Sequence, residues 1–169
     1  MAKICDNKST GILFWKGGKL LLIERKKYNP GFAPPAGHND GDDPETTARK
    51  ESTEEIGFVI DALDKKLKLV LENPCKRENG SYHAWTVFEA KQWHGELRPS
   101  DEEVKSFLWA SPFMLTQLAN RLEQFMRTEK ASIDNLTELV RATNESEAWK
   151  QNPGLEPPWY VILRRLDIV

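Results

Sequence analysis

Glu51, Glu54 and Glu55 crowd into the stretch RKESTEEIGF, just ahead of Gly57. On a helix, positions i, i+3 and i+4 project from one side, so these three carboxylates would face a common patch of solvent or ligand. Like charges at those spacings oppose helix formation by roughly a few tenths of a kcal/mol per pair. A hard divalent cation relieves the repulsion, and magnesium, which takes oxygen ligands and keeps some of its water, suits such a trio. The alternative is a solvated face neutralised by Arg49 and Lys50, the usual outcome for an arbitrary acidic trio. What precedes the trio favours the cation. FAPPAGHNDGDDPE is a loop rich in Pro, Gly and Asp that feeds directly into the helix, and loops held by rigid elements are where binding groups gather.

The helix carrying the trio has clear ends. Asp43 is the expected N-cap, Pro44 suits the first helical position, Glu45 complements the dipole and Gly57 supplies a left-handed terminator. The expected helix, Pro44 to Ile56, is about 20 Å long. Ala48, Ser52 and Ile56 would form its thin buried stripe. Upstream, TGILFW and KLLLIER flank KGGK and read as two strands of a hairpin. Downstream, KLKLVLEN and CKRENGSYHAWTVFEAKQW read as strands, the latter folded at ENGS, and EVKSFLWA as a short last strand. Ser111 and Pro112 open a helix with Leu115, Leu118, Leu122 and Phe125 near helical spacing. Ile133, Leu136, Leu139 and Val140 suggest another helix, and Asn152-Pro153-Gly154 breaks the chain before PPWYVILRRL. That last segment reads as a closing helix or a strand whose Trp159, Val161, Ile162 and Leu163 pack on the domain or on a second subunit of a homodimer; a helical extension is favoured.

The 169 residues, 39% hydrophobic and 30% charged with a net charge of −2, fit one globular domain and give no sign of a nucleic-acid surface. No apolar stretch approaches the roughly 20 residues that span a bilayer, and no signal peptide is evident, so the expected location is cytoplasmic. Cys5 and Cys75 are far apart and read as buried or free thiols, with no CxxC or Cys/His spacing suggesting zinc.

Residues 37 to 58, GHNDGDDPETTARKESTEEIGF, resemble the Nudix box, written G-x5-E-x7-R-E-U-x-E-E-x-G-U with U a bulky apolar residue. Glu51, Glu54, Glu55, Gly57 and Phe58 match its second Glu, its Glu pair, its Gly and its last apolar position. LLLIERKKYNPGFAPPAG is similar to the strand and loop that lead into the box, and weaker likeness continues to about residue 115. Asp42 stands in place of the first Glu, Lys50 in place of Arg and Ser52 in place of the apolar residue, and the loop from Gly37 to Asp42 is one residue short. Lysine lacks the planar fork with which arginine braces carboxylates, so Lys50 would hold the acidic cluster less rigidly.

The resemblance implies an α/β fold, a Nudix-like α/β/α sandwich around a mixed sheet over residues 1–130, with residues 131–169 as a helical C-terminal extension packed on the same domain. It also implies a metal-dependent nucleotide pyrophosphohydrolase that cleaves a nucleoside triphosphate or related nucleoside diphosphate-linked compound by water attack at phosphorus. Mg2+ or Mn2+ would be the cofactor, held by Glu51, Glu54 and Glu55. An ADP-ribose or nucleotide-sugar pyrophosphatase is the second expectation; Pro74, sixteen residues after Phe58, stands near a proline of ADP-ribose-cleaving members. A module that binds a nucleotide or a partner without cleaving it is the third.

The base that activates water is expected among Glu54, Glu55 and, from a later loop, Glu102 and Glu103, the last two being equally readable as an acidic surface loop. Arg25 is a phosphate contact or a surface ion pair. Gly37, at the start of the loop expected to line the cleft, is a further candidate for substrate binding. Phe32, Tyr82 and Trp85 are candidate stacking surfaces for a base, with core packing the stronger reading for Trp85 in YHAWTVFEA. His38 reads as a turn or capping residue.

Overall fold

Strand β1 (Lys8–Leu13) leaves the expected hairpin. The computed structural model, which describes residues 3–169, pairs it in parallel with β7 (His83–His94) and antiparallel with β5 (Ala36–His38). The KGGK turn itself forms as expected, but it joins a two-residue β2 (Trp15–Lys16) to β3 (Lys19–Arg25). TGILFW is thus split between two sheets. One is ordered β5-β1-β7-β6, with β6 at Val59–Leu71; in the other, β3 is flanked by β2 and β4 (Phe32–Ala33) on one edge and by β8 (Val104–Ala110) on the other. Ile12 and Leu13, Leu21 and Leu22, and Val87 and Phe88 are neighbours in sequence that enter different core clusters. Strands buried on both faces read as continuous apolar runs, which is why TGILFW and KLLLIER showed no alternation.

Strand β6 (Val59–Leu71) is longer than KLKLVLEN suggested, and the expected strand over CKREN is not formed. β6 is an edge strand with three register shifts against β7, and its many exposed lysines obscure its period. Residues 72–82 form a loop instead, closed by bonds from the Cys75 N–H to the Gly80 carbonyl (2.7 Å) and from the Cys5 N–H to the Glu78 carbonyl (2.8 Å).

Helix α1 (Pro44–Glu51) starts as expected, with the Asp43 carboxylate accepting from the Thr46 N–H (3.0 Å). It does not run unbroken to Ile56. Residues Ser52–Ile56 widen into a π-helical turn, ended by Gly57 at φ 81°. Such turns are uncommon and gather at functional sites. Ala48, Ser52 and Ile56 are fully buried, as the spacing predicts; Ser52, standing where an apolar residue was expected, satisfies its hydroxyl on the Phe58 carbonyl (2.8 Å).

Helix α2 (Pro112–Glu129) follows its N-cap Ser111, and α3 (Leu136–Glu145), α4 (Glu147–Gln151) and α5 (Pro157–Arg165) complete the chain. PPWYVILRRL is therefore a helix. Buried residues of α2 to α5 share one cluster with Leu13, Leu20, Leu22 and Val87, while Ala48, Ile56 and Phe58 share the other with Ile12, Leu21, Ile23 and Phe88. The strands are thus covered on both faces, α1 on one and α2 to α5 on the other. Trp159 is fully buried, and its indole occupies the space a side chain at Gly11 would need. Gly11→Ala should accordingly lower stability by about 1–3 kcal/mol, the usual range for overpacking; a urea midpoint unchanged from wild type would refute the close packing of α5 on β1.

Candidate active site

The end of β3, strand β5, the end of α1, the 72–82 loop and the start of β7 meet at a cleft of about 420 Å³. The volume lies within the usual range for small-molecule sites. Glu51 enters from α1. Gly37 faces it from β5, and a Cβ on Gly37 would fall on the Glu51 carboxylate, so the absent side chain is what admits the acid. Glu103 also lines the cleft, near enough for its charge to act on Glu51. Its loop is tied down by the Lys26 N–H on the Glu103 carbonyl (2.9 Å) and the Ser100 N–H on the Glu55 carbonyl (2.8 Å).

Burial, then the charges of Glu103 and Glu54, push the Glu51 carboxyl up to about 7. Glu103 and Glu54 therefore sit close enough to disfavour the charge on Glu51. Glu54 is exposed, whereas Glu55 is buried, and of the trio Glu51 alone lines the cleft. The trio does not share one solvent face; the chain turns Glu55 inward. There its Oε1 accepts from Arg25 Nη1 (3.1 Å) and its Oε2 from the Ala36 N–H (3.0 Å). Burial pushes the Glu55 carboxyl up to about 7 despite the opposing pull of Arg25.

Arg25 also donates through Nε to Glu156 Oε2 (3.0 Å), and Glu156 itself is buried. Burial disfavours the guanidinium charge, but the carboxylates of Glu55 and Glu156 outweigh it and hold Arg25 protonated. The expected surface ion pair is thus a buried one, and it braces the acidic segment. Lys50 does not take that part: its Nζ meets Asp42 Oδ2 at 2.7 Å on the exposed rim, so the two departures from the box engage each other. Neither Arg25–Glu55 nor Arg25–Glu156 had a local signal, since the latter pair is separated by 131 positions.

The other expected site residues divide. Trp85 lies at the cleft but is largely buried, its Nε1 donating to Asn73 Oδ1 (3.2 Å). Phe32 is not a stacking surface; it is buried in the main core cluster, and strand β4 turns it away from the cleft. Tyr82 and Glu102 are exposed and lie outside the cleft lining. Besides Trp85, Tyr28 of KKYNPG lines the cleft, with its hydroxyl donating to the Pro74 carbonyl (3.1 Å). Lys27, Lys76 and Arg77 add positive charge around it. His38 is neither a cap nor alone, for its Nε2 lies 3.3 Å from that of His83.

A profile of the NUDIX domain matches residues 7–128. No curated protein sequence matches the chain. Among solved structures, a MutT NUDIX hydrolase from Burkholderia pseudomallei is similar at 22% identity and a TM-score of 0.55, over 63% of this chain and 84% of that one. The E. coli ORF135 protein is similar at 16% identity and a TM-score of 0.52, over 98% and 94%. The NUDIX domain of Shewanella oneidensis NrtR, solved with ADP ribose, is similar at 13% identity and a TM-score of 0.51, over 69% and 78%. At these identities the likeness concerns the fold.

Proposed function

Because the chain belongs to the NUDIX domain family, we propose that it is a metal-dependent pyrophosphohydrolase acting on a nucleoside triphosphate or a related nucleoside diphosphate-linked compound. The observation that carries this reading is the placement of Glu51: a carboxylate let into the cleft by Gly37, facing Glu103 and repelled by it and by Glu54. That donor set consists of hard oxygen atoms carrying excess negative charge, which suits Mg2+ or Mn2+. Glu51 and Glu54 would hold the cation, and Glu55 can join them because each of its oxygens keeps a second lone pair. When bound, the cation neutralises phosphate oxygens and makes water more acidic.

The chain's own groups supply the remainder. Arg25 acts as a positioning residue, fixing Glu55 from behind through a rigid fork. Lys27, Lys76 and Arg77 draw the phosphates to the cleft, while Tyr28 and the edge of Trp85 offer flat boundaries for a base. Glu103, which lines the cleft with Glu51, takes the proton of the attacking water at its carboxylate; Glu102 lies outside the lining and is the weaker candidate.

ADP-ribose or a nucleotide sugar is a second substrate reading, favoured by Pro74 at the cleft wall, where Tyr28 holds its carbonyl. Chromatography of products from nucleoside triphosphates, dinucleotides and nucleotide sugars, with and without Mg2+, separates the readings. Metal-dependent cleavage of one class is expected; calorimetric binding of a nucleotide without turnover of any would instead establish a non-catalytic module. Gly37→Ala offers a finer test. The flexible Glu51 side chain can yield to the new methyl, so stability should hold within about 1 kcal/mol while turnover falls about tenfold or more. Wild-type turnover in Gly37→Ala would show that Glu51 need not occupy that space.

A further inference from the structure

Beside the acidic cluster lies a second group of donors of different chemistry. Cys5, His38, Cys75 and His83 each offer one ligand atom, and the four atoms lie within 4.8 Å of one another. Cys5 comes from the segment before β1, His38 from β5, Cys75 from the 72–82 loop and His83 from the start of β7. We propose that these four side chains form a closed, structural zinc site that fastens the N-terminal segment and the 72–82 loop to the end of β5, and so fixes one wall of the cleft.

The distances support tetrahedral zinc. With Zn–N near 2.05 Å and Zn–S near 2.3 Å, tetrahedral ligand atoms stand about 3.3 Å apart for two nitrogens and about 3.5 Å for nitrogen and sulfur. His83 Nε2 lies 3.3 Å from His38 Nε2 and 3.3 Å from Cys5 Sγ. Two thiolates and two imidazoles are a soft to borderline set that selects zinc over the hard cations suited to Glu51.

The surroundings are arranged as metal ligands require. His83 Nδ1 donates to the Asn73 carbonyl (2.8 Å), which leaves the lone pair on Nε2 and aims it into the cluster. The Asn7 N–H donates to Cys5 Sγ (3.3 Å), an outer-shell bond of the kind that orients a metal-bound sulfur. Gly80 closes the loop over Cys75, where a Cβ would collide with Sγ. A Cys5–Cys75 disulfide would use the two sulfurs but give the two histidines no part.

Four protein ligands leave no open position, so the zinc has no place for substrate and its role is structural. His38, Cys75 and His83 also border the cleft beside Pro74, Lys76 and Arg77, which is how a structural ion would shape substrate binding.

The test is metal content by mass spectrometry of the full chain, expressed without a histidine tag and purified without chelator. About one zinc per chain is expected in wild type and in Glu51→Gln, and about a tenth of that or less in Cys5→Ser/Cys75→Ser. Cobalt replacement in wild type gives a readout that does not depend on the variant folding: the expected result is the visible absorption of tetrahedral, thiolate-bound cobalt. Zinc-free wild type that gains no such absorption with cobalt, equal zinc in the double variant, or loss of zinc in Glu51→Gln would each overturn the proposal. So would a Cys5–Cys75 disulfide in the protein as purified.

Discussion

Arg25→Ala is expected to lower stability by about 3–5 kcal/mol, because it strips the shared cation from two buried carboxylates. Glu55 and Glu156 are 1% and 3% exposed, so water cannot replace the guanidinium. Arg25→Lys should recover only part of the loss, since a point charge cannot reach Glu55 through one nitrogen and Glu156 through another in the same geometry. Adding Glu55→Gln to Arg25→Ala should be less harmful than the sum of the two changes, as expected for residues in one network. Urea unfolding checks all three. A loss below about 1 kcal/mol for Arg25→Ala would place the pair among the weak ion pairs of the surface and remove its bracing role.

The second large effect falls on chemistry. Glu51→Gln keeps the shape of the side chain but removes the charge that Gly37 admits to the cleft. Turnover should fall at least about 100-fold, or about 2.7 kcal/mol of barrier, and the metal concentration for half-maximal rate should rise. Stability should not fall, because a carboxylate repelled by Glu103 and Glu54 has been relieved of its charge. Equal turnover in Glu51→Gln and wild type would exclude the proposed metal role.

Much of this arrangement was legible from short-range signals. The Asp43-Pro44 start and the Gly57 stop framed the helical segment, and the box marked the acids it carries. Ser111-Pro112 and the leucine spacing did the same for α2. The π-helical turn was not legible, because its cause lies in packing: Ser52 is drawn under Phe58, and Glu55 toward a guanidinium from β3. Phe32 looked free to stack because FAPPAG resembles a loop, yet β3 pairs with Phe32 and Ala33 and draws them into the core.

Long-range pairing hid the rest. β1 lies between β5 and β7, so its partners are not the neighbour that a glycine turn suggests. The zinc ligands are scattered in the same way: His83 is 78 positions from Cys5 and 45 from His38, with no spacing that a motif could hold. They meet only because β5, β1 and β7 are adjacent in one sheet.

The same adjacency puts two ligand sets of different hardness around one cleft, oxygen donors on the α1 side and sulfur and nitrogen donors by the 72–82 loop. Hard and borderline cations would sort between them by chemistry rather than by distance. Among the described residues no helix is long and apolar enough to cross a membrane.

Addition of Mn2+ to the zinc-loaded protein with a nucleotide present, followed by paramagnetic broadening of backbone amide signals, tests the central claim most directly. The account predicts the strongest broadening at Gly37, Glu51 to Glu55 and Glu103, fading with distance from the cleft. Sharp signals at Glu51 to Glu55 under saturating Mn2+, or broadening centred elsewhere, would contradict it.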